Sequence, residues 1–346
     1  MDTLWFVLVA LMITAYVLLD GFDLGAGAIH LVAAKNDQER RMILKAIGPV
    51  WDGNEVWLIA SGGVLFFAFP LLYASGFSGF YLPLMIVLWL LMVRGLSIEL
   101  RKHIDDPLWA AFWDFMFFFG SSLLAIFYGA ALGNVVRGVP LNEDGNFFQP
   151  LWTNFSPFAQ DPGILDWYTI LIGLLAFTIL ITHGANWIAL KTEGELNARS
   201  RKISTNFAIA TVVLAAIATP VTFWVSPWMI ESYNRLPVGY VLPLLAFAGA
   251  AGMILYSVRG RDRAAFFSSS LFIIGMLTSS VYGVYPRVLP GVNLENSLTI
   301  SNASTSEYGQ TVGIMWFSVG IVLAAAYFIL IYYLFRGKVT LEDEGY

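Results

Sequence analysis

The sequence predicts an all-α polytopic membrane protein, and three observations predict it. Of its 346 residues, 58% are hydrophobic and only 12% charged, a balance outside that of soluble globular domains. Several separate apolar runs reach about 20 residues, enough to cross ~30 Å of hydrocarbon at ~1.5 Å per residue. None shows the short alternating segments of a transmembrane β-barrel. The net charge of -5 decides little, because the distribution of charge matters more than its sum. With no cysteine, the chain holds no disulfide, thiolate-bound metal, iron–sulfur cluster or thioether-attached haem.

Nine spans are expected in a single transmembrane domain over residues 1–346. They run over about 3–30, 46–73, 77–98, 112–136, 165–190, 204–227, 238–258, 264–286 and 311–335. The first lacks a basic leader and runs into Asp20-Gly21 rather than a cleavage site, so it reads as a retained helix. The basic residues test the count. Lys35, Arg40, Arg41 and Lys45 follow span one; Arg94, Arg101 and Lys102 follow span three; Lys191, Arg199, Arg201 and Lys202 follow span five. Arg259, Arg261 and Arg263 follow span seven, and Arg336 and Lys338 follow span nine. Only Arg137, Arg235 and Arg287 fall on the other side, so the positive-inside rule puts the N-terminus outside and the C-terminus in the cytoplasm. An even number of spans would spoil this partition. The basic turns read as topology signals and contacts to anionic lipid headgroups.

Two longer outside loops, about 137–164 and 287–310, are too small to be separate domains. A faint internal echo joins the ends of spans one and five. Asp20-Gly21 and His183-Gly184 each precede a charged turn and a further span. Two four-helix bundles plus one peripheral helix fit this pattern.

Three constellations carry candidate chemistry. Asp20 and Asp23 share a helix face, well inside span one, where acids are the usual material of proton relays. Gly21 and Gly25 form a small-xxx-small pair that permits close helix approach. In the second, Trp51, Asp52, Asn54, Glu55 and Trp57 crowd the start of span two. Pro49 is expected near the first helical position, where acids complement the helix dipole. That accounts for Asp52 and Glu55 but not for Trp51, Gly53 and Asn54. In the third, Arg94 and Glu99 stand at the inner end of span three. Arg94 is expected to snorkel to the interface; the alternative is an inward guanidinium holding a carboxylate or propionate.

The three histidines are His30, placed at an interface, His103 in a loop, and His183, placed deep. So few axial ligands make several haems in this chain unexpected. No phosphate loop, metal-ligand cluster or nucleophile elbow is present. Three readings stay open at this point: a redox-complex subunit with acids on a proton route, a secondary transporter with an acidic intramembrane site, and a purely structural partner subunit. Gly/acid clusters towards one face, rather than midplane helix breaks in both halves, favour the first.

A resemblance decides among them. Asp20-Gly21-Phe22-Asp23-Leu24-Gly25, Asn36-Asp37-x-Glu39-Arg40-Arg41, Pro49-x-Trp51-Asp52-Gly53-Asn54-x-Val56-Trp57-Leu58 and Phe77-Ser78-Gly79-Phe80-Tyr81 resemble subunit II of the cytochrome bd-type quinol oxidases. Thr192-x-Gly194-Glu195-Leu196 and Asn302-Ala303-Ser304 extend the likeness along the chain. His183 departs from the family pattern and is given no role. The resemblance implies a bacterial inner-membrane complex that oxidises ubiquinol or menaquinol and reduces dioxygen to water. It implies haem b and haem d in a partner, subunit I, and no haem and no catalytic residue in this chain. It leaves room for a small accessory subunit and a structural quinone or lipid, and implies no nucleic-acid partner. Carried onto this sequence, it makes Asp52 the foremost proton carrier, with Asp20, Asp23 and Glu99 lining the route. Trp51 and Arg94 would stand near the partner's haem propionates, supported by Asn54 and Glu55. Spans one to three, with their glycine pairs and acids, are expected at the subunit interface.

Overall fold

The computed structural model describes residues 1–158 and 161–340, and these fold around long α-helices. In order they are α1 (Asp2–Ala33), α2 (Asp37–Ile47), α3 (Trp51–Ala68), α4 (Pro70–Gly79), α5 (Tyr81–Leu100) and α6 (Pro107–Arg137). The second half contributes α7 (Trp167–Lys191), α8 (Gly194–Val225), the short α9 (Ile230–Arg235), α10 (Val241–Val258), α11 (Asp262–Val284) and α12 (Glu307–Leu334). Eight of them, α1, α5, α6, α7, α8, α10, α11 and α12, are each long and apolar enough to cross a membrane.

The region expected as span two is built differently. Asn36 caps a separate amphipathic helix, α2, by accepting a bond from the Glu39 amide at 2.9 Å. α3 then begins at Trp51, with Val50 at its cap, so Pro49 precedes the helix and is not its first residue. Pro70 ends α3, because it has no amide hydrogen and forces Phe69 out of the helical region. The carbonyl of Ala68 thereby freed accepts the Thr305 amide at 2.9 Å. Elsewhere the starts are signalled locally. Asp106 caps α6 with Pro107 in its first turn, Asp166 and Thr169 form a reciprocal box on α7, and Ser306 caps α12.

α1 packs on α3, α6, α7 and α11, and α7 packs on α6, α8 and α11. These two helices cross where neither has a side chain. A Cβ on Gly25 would lie 1.9 Å from the Leu180 carbonyl oxygen, and one on Gly184 would lie 2.3 Å from the Gly25 carbonyl carbon. The Gly21/Gly25 face expected to meet a partner subunit is therefore covered within the chain. α12 is peripheral; Gln310 is its one buried residue.

The connections gather at two ends. At one end Arg199 pairs with Glu39, Arg101 with Asp37, and Lys338 donates to the carbonyls of Ala189 and Thr192. At the other end the loops of 137–164 and 287–310 meet. The Val139 amide donates to Pro290 and the Asn296 side chain to Leu141, and a small hairpin, β1 (Arg287–Leu289) with β2 (Leu298–Thr299), departs from the all-α expectation.

Candidate functional site: a buried acid–arginine–amide cluster

α1 carries Asp20 and Asp23 one turn apart, and both are fully buried. From α5, Arg94 donates through Nη1 to Asp20 Oδ2 at 3.0 Å and through Nη2 to Asp20 Oδ1 at 2.5 Å. Arg94 is itself fully buried. It does not snorkel: a carboxylate in the plane of its fork compensates the guanidinium where no water can. Its Nε has no partner among the described residues.

Asp23 has a different neighbour. Its Oδ2 accepts from Asn54 Nδ2 of α3 at 2.7 Å, and its Oδ1 is buried without a partner. Asn54 also donates to the Leu19 carbonyl at 3.2 Å and accepts from the Tyr332 hydroxyl of α12 at 2.8 Å. Glu55 is half-buried, within electrostatic range of Arg94, Asp20 and Asp52. Asp52, three residues earlier, is exposed on α3. Trp51 is buried beside Gly95, whose Cβ would lie 3.5 Å from the indole ring, and its Nε1 has no partner among the described residues. Glu99 is half-buried on α5, and no hydrogen bond among the described residues joins its carboxylate to the cluster. The structure thus brings together Asp20, Asp23, Asn54, Glu55 and Arg94, with Asp52 and Trp51 at their margin.

A second charged cluster lies at the end carrying the basic turns. Asp114 of α6, fully buried, accepts from Arg101 Nε at 2.6 Å, from Arg40 Nη1 at 2.9 Å and pairs with His30 Nε2 at 2.6 Å. His30 is therefore an interior residue, not an interfacial one. Arg101 also holds Asp37 at 2.7 Å. Partial burial pushes the Asp37 carboxyl up, but Arg101 and Arg41 outweigh it and hold it below the usual carboxylate range. The sequence did carry a signal for Asp114, a lone acid between Trp113 and Phe115 in an expected span. Tyr332 had none, because its partner lies 278 residues away.

In the second half the corresponding polar pair is neutral. His183 bonds Ser269 Oγ at 2.8 Å and the Leu18 carbonyl at 3.0 Å, while Asn186 accepts from Ser204 at 2.6 Å. Among the described residues no group of three or more His, Cys, Asp or Glu could hold a metal ion. Chemically, the first-half cluster offers one fixed ion pair and several further carboxyls graded from surface to interior, a set suited to moving protons rather than to covalent catalysis.

Residues 1–335 match the family of the cytochrome bd terminal oxidase subunit II. The chain belongs to that family. A probable cytochrome oxidase subunit 2 of Haemophilus influenzae is 32% identical, over 95% of this chain and 92% of its own length. The cytochrome bd-I ubiquinol oxidase subunit 2 of Escherichia coli strain K12 is 31% identical, covering 98% and 95%. The cytochrome bd ubiquinol oxidase subunit 2 of Bacillus subtilis is also 31% identical, covering 98% and 97%. A chain of the bd oxidase from Geobacillus thermodenitrificans has the same fold, with a TM-score of 0.71 at 16% identity over 97% of this chain and 99% of that one. This subunit II is accordingly a multi-pass protein of a bacterial inner membrane.

Proposed function

We propose that this subunit II is the haem-free half of a respiratory quinol oxidase and supplies a cytoplasmic proton route to the oxygen-reducing site of its partner. The complex oxidises quinol and reduces dioxygen to water, with haem b and haem d held by subunit I. One observation carries the reading. Protonatable groups run from exposed Asp52 through half-buried Glu55 to fully buried Asp23, beside the compensated Asp20–Arg94 pair. Buried carboxyls in a membrane domain are costly, and proton relays are among the functions that retain them.

Asp52 takes protons at the cytoplasmic face, Asp20, Asp23 and Glu55 carry the polar interior, and Glu99 lines the approach. Trp51 Nε1 and Arg94 Nε are buried donors without partners, which suits an acceptor supplied from outside the chain such as a haem propionate of subunit I. The haem-free assignment is supported by the histidines. His30 is engaged by Asp114, His183 by Ser269 and Leu18, and His103 lies on the surface. Nine crossings, with α3 and α4 counted together and the N-terminus outside, agree with the gathering of basic turns at one end. A transporter would be expected to break its helices beside the acids. The break at Pro70 lies about 27 Å along α3 from Asp52, at ~1.5 Å per residue.

Asp52→Asn tests the route. The change keeps size and one acceptor but removes the titrating group. Quinol oxidase turnover is expected to fall by roughly a hundredfold with haem spectra unchanged, and Asp52→Glu to restore part of it. In the first turn of α3 an Asn forfeits only the ~0.3–1 kcal/mol that a carboxylate gains from the helix dipole. Near-normal turnover in the fully assembled variant would falsify the proton role and leave a helix-start carboxylate.

A further inference from the structure

α12 is the most exposed of the long helices, yet it delivers one hydroxyl into the buried cluster. The Tyr332 hydroxyl donates to Asn54 Oδ1 at 2.8 Å, and Asn54 is fully buried. The other end of that amide faces two acceptors, Asp23 Oδ2 at 2.7 Å and the Leu19 carbonyl at 3.2 Å. A carbonyl cannot donate, so the amide must present Nδ2 on that side and Oδ1 to Tyr332. We propose that Tyr332 is a positioning residue of the proton route, anchoring from the α12 side the Asn54 amide whose N–H, oriented by the Leu19 carbonyl, is offered to Asp23. The inference rests on the reading of Asp23 as part of that route.

The orientation has a chemical consequence. With Nδ2 towards it, Asp23 can receive and release a proton at Oδ1, the oxygen with no partner, while Oδ2 stays anchored. A flipped amide would set its oxygen against Asp23 and the Leu19 carbonyl, leaving two acceptors facing a third unless Asp23 donates. Without the Tyr332 hydroxyl the amide loses its anchor on the α12 side, and a buried Oδ1 is left unsatisfied. The chain holds Tyr332 in place from behind. Lys191 donates to the Phe335 carbonyl and Lys338 to the carbonyls of Ala189 and Thr192, which straps the end of α12 to the end of α7. The Tyr332 ring stacks with Phe328 and meets Trp187 edge-on, contacts that a phenylalanine keeps. A tyrosine present only to mark the membrane interface would turn its hydroxyl to water.

The test uses the assembled oxidase and an infrared readout at Asp23. The Asp23 carboxyl band is identified in difference spectra by its loss in Asp23→Asn. Tyr332→Phe is expected to move that band in the same direction as Asn54→Ala, and the double variant to match Asn54→Ala alone. Turnover should fall by roughly two- to tenfold, the kinetic equivalent of one buried hydrogen bond, with KM for quinol and haem spectra unchanged. An unmoved Asp23 band in Tyr332→Phe overturns the proposal whatever turnover does. A moved band with unaltered turnover upholds the Tyr332–Asn54–Asp23 linkage and counts instead against Asp23 lying on the proton route.

Discussion

Asp20 and Asp23 differ by a single helical turn, yet one meets a guanidinium and the other an amide, so they cannot act alike. Asp20 is held on both oxygens by Arg94, with both residues excluded from solvent. A buried pair of this kind gives little net stability, but breaking it strands a charge, at a cost of about 3–5 kcal/mol. Asp20→Asn and Arg94→Gln should therefore each lower the thermal stability of the purified complex by about that much. The double replacement Asp20→Leu with Arg94→Met should recover most of it, since a neutral pair removes the stranded charge. Single variants that melt with the parent would mean that water reaches the pair. The acids and Arg94 were legible as sequence, because charge in a membrane span is rare enough to stand out. The direction of Arg94 was not: snorkelling and inward pairing predict the same local pattern, and the carboxylate that decides between them lies 74 residues away. His30 was misplaced for the same reason, since Asp114, which draws it inward, is 84 residues distant.

At the scale of elements, the crossing of α1 and α7 sets the geometry of everything around it. Gly25 and Gly184 let the two backbones touch, and that contact places Asp20 and Asp23 between α5 and α3. A side chain at Gly184 would meet the backbone at the Gly25–Ala26 peptide, which cannot rotate aside as a side chain can. Gly184→Val should cost about 3 kcal/mol or more by overpacking and sharply reduce recovery of assembled oxidase. Gly320→Val, on α12 where an added Cβ would meet nothing within 4 Å, should be tolerated. Fluorescence-detected size exclusion of the two variants compares them directly, and equal recovery would show that the crossing can open. The small-xxx-small signal at Gly21 and Gly25 was readable in the sequence, but its partner was not. Spacing says that a helix will come close and does not say which one. The Pro70 break was equally visible as a residue, but hydropathy runs through it, and only the 287–310 loop that satisfies the Ala68 carbonyl makes it a stable end.

Across the whole molecule the echo between its halves acquires a physical meaning. α1 and α7 each bring a polar pair, Asp20 with Asp23 and His183 with Asn186, to their mutual crossing at Gly25 and Gly184. Only the first pair is acidic, so the crossing has one charged side, and that side leaves a wide apolar face on α3 and α5 open. Ile59 is 73% exposed and Trp89 62%, and a Cβ added at Gly62 or Gly63, on the same helix as Ile59, would meet nothing within 4 Å. In the proposed route, protons passed from Asp52 leave this chain beside that face, and open glycines permit a foreign helix to approach closely. The α10 and α11 side, with Phe247 69% and Phe267 67% exposed, has its acid Asp262 already held by Arg201 at 2.7 Å and suits lipid. Because the chain contains no cysteine, a single introduced thiol carrying a photo-activated crosslinker reports one position cleanly. Ile59→Cys and Trp89→Cys should capture the haem-bearing chain in membranes, and Phe247→Cys and Phe267→Cys should label lipid alone. Capture from the second set without the first would move the interface to the neutral half. The proton route would then open towards lipid, where a bare carboxylate such as Asp52 is costly to maintain, and the assignment of Asp52 would fall with the interface.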